Sequence, residues 1–308
     1  MSKKGERHVA GGRTLNVNFF GVRGSTPCAC RDLARYGGNT ACVALEAPGH
    51  DPVVFDLGTG LRFWGETQPQ DGSFRGSALV THLHWDHVQG LPFFVPVLRP
   101  GARLDIYGPP SEDMGIEEAF HQFLRPPFFP VEIDALEGEI VFHDIFDEKV
   151  VVGDAKVTSR PVPHVGLTTG YRVEYAGTTV AYVSDHQAPP DGSMDVAESV
   201  LELADGVDLL IHDAQYTAEE FAAKAHWGHC TIDYAVNVAA QAGAKRLALF
   251  HHDPSHDDVT LDGLGAAAAA QGEAVGVEVI AAYEGLTIAF GSAEGSVAGL
   301  VGADPVPL

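Results

Sequence analysis

Short apolar stretches rich in β-branched residues alternate along the chain with Ala-rich stretches of helical period, and Gly or Pro stands at nearly every junction. The pattern predicts strands over 14–20, 41–46, 53–56, 78–81, 104–107, 156–160, 170–174, 179–184, 207–212, 246–250 and 286–290. It predicts helices over 114–124, 194–204, 218–225, 232–242 and 259–271. In YRVEYAGTTVAYVSD two alternating runs flank Ala176-Gly177, which predicts a β-hairpin. Antiparallel pairs beside helix-linked strands predict an α/β protein with sheets of mixed direction covered by helices, rather than a doubly wound parallel sheet. With no repeat and no low-complexity linker, residues 1–308 are expected to form a single domain, with flexible tails at 1–12 and 293–308. The stretch 109–145 breaks the rhythm, with one short helix and then Arg125-Pro126-Pro127-Phe128-Phe129-Pro130. It is either a surface excursion packing its phenylalanines on the domain or a cap whose aromatics roof a pocket.

Composition adds constraints on partners. Of 308 residues 45% are hydrophobic and 20% charged, a foldable balance that excludes a disordered chain. Lys and Arg total 19 against 42 Asp and Glu, a formal net charge of −23. A protein that grips polyphosphate displaces counterions with Lys and Arg, so tight nucleic-acid binding is disfavoured. No apolar run reaches the roughly 18 residues of a spanning helix, and the opening MSKKGERHVAGG lacks the apolar core of a signal peptide. The expectation is a cytoplasmic protein without a membrane partner, a homo-oligomer being left open. Four cysteines (Cys28, Cys30, Cys42 and Cys230) form no disulfide framework, and Cys28-Ala-Cys30 without a second pair is a weak metal motif.

The chemistry concentrates in Thr81-His82-Leu83-His84-Trp85-Asp86-His87, directly after an apolar strand. Histidines two apart in extended chain point the same way. Three imidazoles and a carboxylate within six residues suit a borderline divalent cation such as Zn²⁺, Mn²⁺ or Fe²⁺. One short segment cannot surround two ions, so further ligands are sought at other strand ends, where His164, Asp185 and His251 stand. A carboxylate suits a bridging position because each oxygen can take one cation.

H-x-H-x-D-H followed by a later His, an Asp and a last His, in this order and spacing, resembles the metallo-β-lactamase superfamily over roughly 20–258. The resemblance implies an αββα sandwich with a dinuclear site at one edge of its two sheets. It implies one cation on His82, His84 and His164, a second on Asp86, His87 and His251, and Asp185 bridging them; zinc is expected first, manganese or iron otherwise. His252 rivals His251 for the last position. Asp56, in Phe-Asp-Leu-Gly-Thr-Gly, resembles the family's early Asp-x-Gly element, which supports the ligands from behind; it also reads as an Asp opening a turn.

Within that superfamily Asp185 stands where true β-lactamases place a Cys. His212-Asp213-Ala214-Gln215-Tyr216 and Gly228-His229-Cys230-Thr231 resemble the ribonuclease Z and cyclic phosphodiesterase branch. There the first segment carries a Glu that positions the histidine of the second, the proton donor to the departing oxygen; here the position is Asp213, one methylene shorter. The resemblance implies a metal-dependent phosphodiesterase working by hydroxide generated at the metals, with His229 as general acid, Asp213 holding it and Asp86 accepting a proton from water. The turn Gly21-Val22-Arg23-Gly24-Ser25-Thr26-Pro27 and the run Tyr36-Gly37-Gly38-Asn39-Thr40 resemble a bacterial group of metal-dependent hydrolases. The net charge and the lack of a long basic arm argue against transfer RNA as a partner. They favour a small phosphodiester, such as a cyclic nucleotide or cyclic sugar phosphate, with Phe93, Phe94, Phe128 and Phe129 as candidates for an aromatic wall. Two other readings compete: an ester, thioester or lactone hydrolase on the same metals, and a non-catalytic metal-binding relative.

Overall fold

The computed structural model describes residues 14–111 and 113–291, so the two predicted tails lie outside the described residues. The first sheet is built from β1 (Leu15–Gly21), β2 (Cys42–Glu46), β3 (Val53–Phe55), β4 (Arg75–Leu79), β5 (Arg103–Gly108) and β6 (Glu139–Asp144). The second takes β7 (Lys149–Val152), β8 (Ala155–Pro161), β9 (Thr169–Tyr175), β10 (Thr178–Val183), β11 (Leu209–Asp213), β12 (Arg246–Phe250) and β13 (Glu278–Ala281). The last strand, β14 (Thr287–Phe290), returns to pair with β1 and completes the first sheet as β14-β1-β2-β3-β4-β5-β6; the second runs β13-β12-β11-β10-β9-β8-β7.

Helices α1 (Leu61–Thr67), α2 (Trp85–Val88) and α3 (Ile116–Phe123) join a cluster on the outer face of the first sheet that includes Leu61, Trp64, Phe94 and Phe120. Helices α4 (Glu198–Ala204), α5 (Ala218–Lys224), α6 (Ile232–Ala242) and α7 (Asp258–Val275) cover the second sheet. Between the sheets lies a third cluster, in which Phe55 stacks on Tyr182 at 4.5 Å. The result is the expected αββα sandwich. Strands β11 and β12 are buried along their whole length, as continuous apolar strands covered on both faces must be.

The predicted hairpin forms: β9 and β10 pair antiparallel around Ala176 and Gly177, both at positive φ, the conformation a tight primed turn requires. Three strands escape the sequence pattern, β6, β7 and β13, and each is the outermost of its sheet and half-exposed, so its alternation is diluted. The excursion at 109–145 is corrected accordingly: it holds α3 and ends in β6, which pairs parallel with β5. Phe94 is also corrected. It is fully buried, stacked on Trp64 at 5.2 Å, and is core rather than pocket wall; Phe93 and Phe128 are exposed, and Phe129 packs edge-on against Phe93.

Direction matters for the site. Strands β3 to β6 run parallel, as do β10 to β13, and β8 runs with β10 because both are antiparallel to β9. The carboxyl ends of β8, β10, β11 and β12 therefore emerge along one edge of the second sheet. Trp64, buried and hydrogen-bonded through Nε1 to Glu46, ties α1 to the first sheet. Trp64→Ala is expected to cost about 3–5 kcal/mol in urea unfolding; a loss under about 1 kcal/mol would show that the outer helices do not depend on it.

Candidate metal centre

Every residue singled out for metal chemistry follows the carboxyl end of a strand. His82, His84, Asp86 and His87 follow β4, His164 follows β8, Asp185 follows β10, and His251 follows β12. The two sheets bring these ends together. His82 Nε2 lies 2.8 Å from His84 Nδ1, and His164 Nε2 lies 3.4 Å from the same atom. Asp185 Oδ2 faces this trio, 3.7 Å from His82 and 3.6 Å from His164. On its other side Asp185 Oδ1 lies 3.2 Å from His87 Nε2 and 3.3 Å from His251 Nε2. Asp86 Oδ2 completes this second set at 3.2 Å from His87 and 3.1 Å from His251.

These donors fit divalent cations. Burial, and then repulsion from neighbouring imidazoles, draws His82 and His84 below the ordinary imidazole value, and burial does the same to His164, leaving neutral rings with lone pairs to offer. Three neutral ring nitrogens converging with a carboxylate oxygen of Asp185 form a donor set that a divalent cation satisfies. In the second set, His87 Nε2 is fully buried and makes no hydrogen bond among the described residues, although two carboxylate oxygens stand beside it. An orphaned buried nitrogen aimed into a donor set points to an ion.

Asp56 holds both sets from behind. Its carboxylate, fully buried, accepts from the Thr81 amide (2.8 Å), the Thr81 hydroxyl (3.1 Å), the Tyr182 hydroxyl (2.9 Å) and His87 Nδ1–H (2.8 Å). Thr81 Oγ1 lies 3.0 Å from His82 Nδ1, which turns Nε2 of that ring toward the first set. The Asp56 carboxylate thus touches residues beside both sets while its backbone turns at the end of β3. Its backbone is left-handed at φ 57, a conformation Asp tolerates better than most side chains.

His251 too is left-handed, at φ 59, and its Nδ1–H donates to Gln215 Oε1 at 3.0 Å while Nε2 faces Asp86. Adjacent His252 points elsewhere, to the Ala282 carbonyl at 2.9 Å, and burial draws it down to about 3. Of the two rivals only His251 reaches the cluster. Gly24 runs so close beneath His251 that a Cβ there would collide with the imidazole, and Ser25 N–H reaches Asp86 Oδ2 at 2.7 Å. Thr81, Tyr182, Gln215 and Ser25 were not singled out in the sequence as supports, because common polar residues in no fixed spacing carry no signal of their partners. Cys28 and Cys30 join no cluster of metal-ligating groups among the described residues.

His229 stands over both sets. Its Nδ1–H donates to Asp213 Oδ2 at 2.9 Å, so the carboxylate one methylene shorter than the family's Glu still makes the contact. Burial opposes a charged imidazole, but the charge and hydrogen bond of Asp213 outweigh it and hold His229 above its ordinary value. Its ring lies 5.0 Å from His251 and 5.6 Å from His164, centroid to centroid.

Comparison with known proteins gives the fold a family. Residues 58–252 match the β-lactamase superfamily domain. Ribonuclease Z of Methanothermobacter thermautotrophicus is 28% identical over 281 residues, covering 77% of this chain and 86% of that protein. Among solved structures, the metallo-β-lactamase fold protein YhfI of Bacillus subtilis aligns with a TM-score of 0.68 at 20% identity, over 90% of this chain and 99% of its own. Human tRNase Z, short form, aligns with a TM-score of 0.62 at 21% identity, over 89% of this chain and 98% of its own. The chain belongs to the metallo-β-lactamase superfamily, in its ribonuclease Z-like branch, and is a metal-dependent hydrolase. The expectation against transfer RNA is overturned, because ribonuclease Z proteins stand among its relatives. Net charge sums the whole surface and does not decide what a cation-bearing edge can hold. No helix among the described residues is long and apolar enough to cross a membrane.

Asp56 stands behind both donor sets, so its loss should be felt in binding. Asp56→Asn is expected to weaken zinc affinity about 10–100-fold in chelator competition; unchanged affinity in a folded variant would remove Asp56 from the account.

Proposed function

We propose that this chain hydrolyses phosphodiesters at a dinuclear centre, with His82, His84 and His164 holding one divalent cation, Asp86, His87 and His251 the other, and Asp185 bridging them. The observation that carries this reading is the division of the Asp185 carboxylate, one oxygen toward each set of donors. Zinc suits the sites first, and manganese or iron suits the same His and Asp donors. Two cations bound there supply Lewis acidity at a phosphoryl group.

The remaining chemistry belongs to the chain's own residues. His229 carries a proton toward the departing oxygen, and Asp213 fixes the ring by Nδ1 so that Nε2, which has no hydrogen-bond partner among the described residues, is the donating atom. Asp86, held by Ser25 N–H and His251, is placed to accept a proton from water. A proton donor serves a departing alkoxide more than a departing thiolate, which favours a phosphodiester over a thioester. A cyclic nucleotide or cyclic sugar phosphate is one candidate substrate, and because ribonuclease Z proteins and a tRNase Z are among the relatives, transfer RNA is another to be assayed.

The test is turnover of a cyclic nucleotide, a precursor transfer RNA, p-nitrophenyl acetate and a thioester by zinc- or manganese-loaded protein. A phosphodiester should be cleaved, and His229→Ala should lower its kcat by about 10²–10⁴-fold with metal content unchanged. Faster turnover of the carboxylic ester or thioester, indifferent to His229, would refute the reading.

A further inference from the structure

Three residues given roles above, His164, Asp185 and His229, come from three separate segments. One side chain without a role links all three. Gln187 lies two residues beyond Asp185, four past the end of β10. Its backbone N–H donates to the Pro163 carbonyl at 2.7 Å, immediately before His164. Its Oε1 accepts from Gly228 N–H at 2.8 Å, immediately before His229. Its Nε2 donates to the Ala188 and Ala225 carbonyls at 2.6 and 2.8 Å, closing the loop between α5 and α6.

Gly228 is the junction. While its N–H is held by Gln187, its carbonyl accepts from His164 Nδ1–H at 2.6 Å, the contact that leaves Nε2 of that ring for the first set. Gly228 sits at φ 94, and a Cβ there would collide with the His164 imidazole, so no other residue allows this approach. The next residue's carbonyl, that of His229, accepts from Ala188 N–H at 3.2 Å, which binds the loop a second time to the segment following Asp185.

We propose that Gln187 is a positioning residue that couples the first metal site to the proton donor, by clamping the backbone at Gly228, whose carbonyl orients His164 and whose next residue is His229. The physical reason is geometric. A loop wanders unless its backbone groups are paired, and a Gln offers an acceptor and two donors on one rigid amide. Removing that amide frees the backbone on both sides of the Gly228 Cα to rotate, and the His164 ring loses its fixed partner as the His229 ring loses its fixed origin. Half of this inference, the coupling to His229, rests on the proton-donor role proposed above; the half concerning His164 does not.

Gln187→Met keeps the bulk of the side chain and removes the polar links. Zinc affinity is read by chelator competition without substrate, alongside circular dichroism and melting temperature. One of two zinc ions is expected to bind about 10–100-fold more weakly, with the spectrum unchanged. Gln187→Glu, which retains an acceptor for Gly228 N–H, is expected to recover most of that affinity, and it decides the matter if the Met variant does not fold. On phosphodiesters with a series of leaving groups, the Met variant should lose more rate as the leaving group becomes more basic, with KM little changed. Both zinc ions bound at wild-type affinity by a folded Gln187 variant, with the leaving-group dependence unaltered, would overturn the proposal. Failure of the wild-type protein to cleave any diester would sink the phosphodiesterase reading alone, because the zinc measurement needs no substrate.

Discussion

The buried carboxylate of Asp56 is the constraint on which the site depends. It sits where β3 ends in the first sheet and takes a hydrogen bond from Tyr182 of the second, so one residue ties the two layers at the edge where the candidate ligands gather. Through Thr81 and His87 it reaches both donor sets. A carboxylate removed from water is costly unless its lone pairs are satisfied, and here four donors satisfy them. The same four bonds that make the burial tolerable also fix the imidazoles, so stability and preorganisation come from one arrangement.

Around that constraint the sandwich supplies direction. Parallel strands β10, β11 and β12 send Asp185, Asp213 and His251 to one edge, and β8 adds His164 from the same direction. The sharp turns needed at these exits are met by left-handed backbone at Asp56 and His251 and by close approaches at Gly24 and Gly228. Backbone strain of this kind costs roughly 1–3 kcal/mol per residue and persists only where surrounding contacts over-determine it. His251 is so determined, held by Gln215 at one ring nitrogen and facing Asp86 with the other.

Much of this was legible in the chain, for identifiable reasons. The interior strands show unbroken apolar runs, the hairpin at Ala176-Gly177 has its turn residues, and the ligand-type residues cluster in a spacing that few other needs produce. His251 could be separated from His252 only by seeing which ring faces Asp86, since both follow the same strand. The edge strands β6, β7 and β13 were hidden because half-exposed strands dilute their alternation. Phe94 shows the limit of composition: an aromatic beside an exposed aromatic, Phe93, turns inward to stack on Trp64. The supports, Tyr182, Thr81, Gln215 and Gln187, were invisible because their partners lie as far as 126 positions away in sequence.

The expectation against transfer RNA failed for a related reason, since a net charge of −23 sums the whole chain without saying how charge is distributed over it, while ribonuclease Z proteins are relatives over most of its length. The central claim is that Asp185 divides its two oxygens between two cations. Anomalous diffraction from crystals grown with zinc, recorded at the zinc edge, tests it most directly. Two peaks are predicted, one among His82, His84 and His164 and the other among Asp86, His87 and His251, with Asp185 between them. A single peak, or zinc bound away from Asp185, would contradict the account.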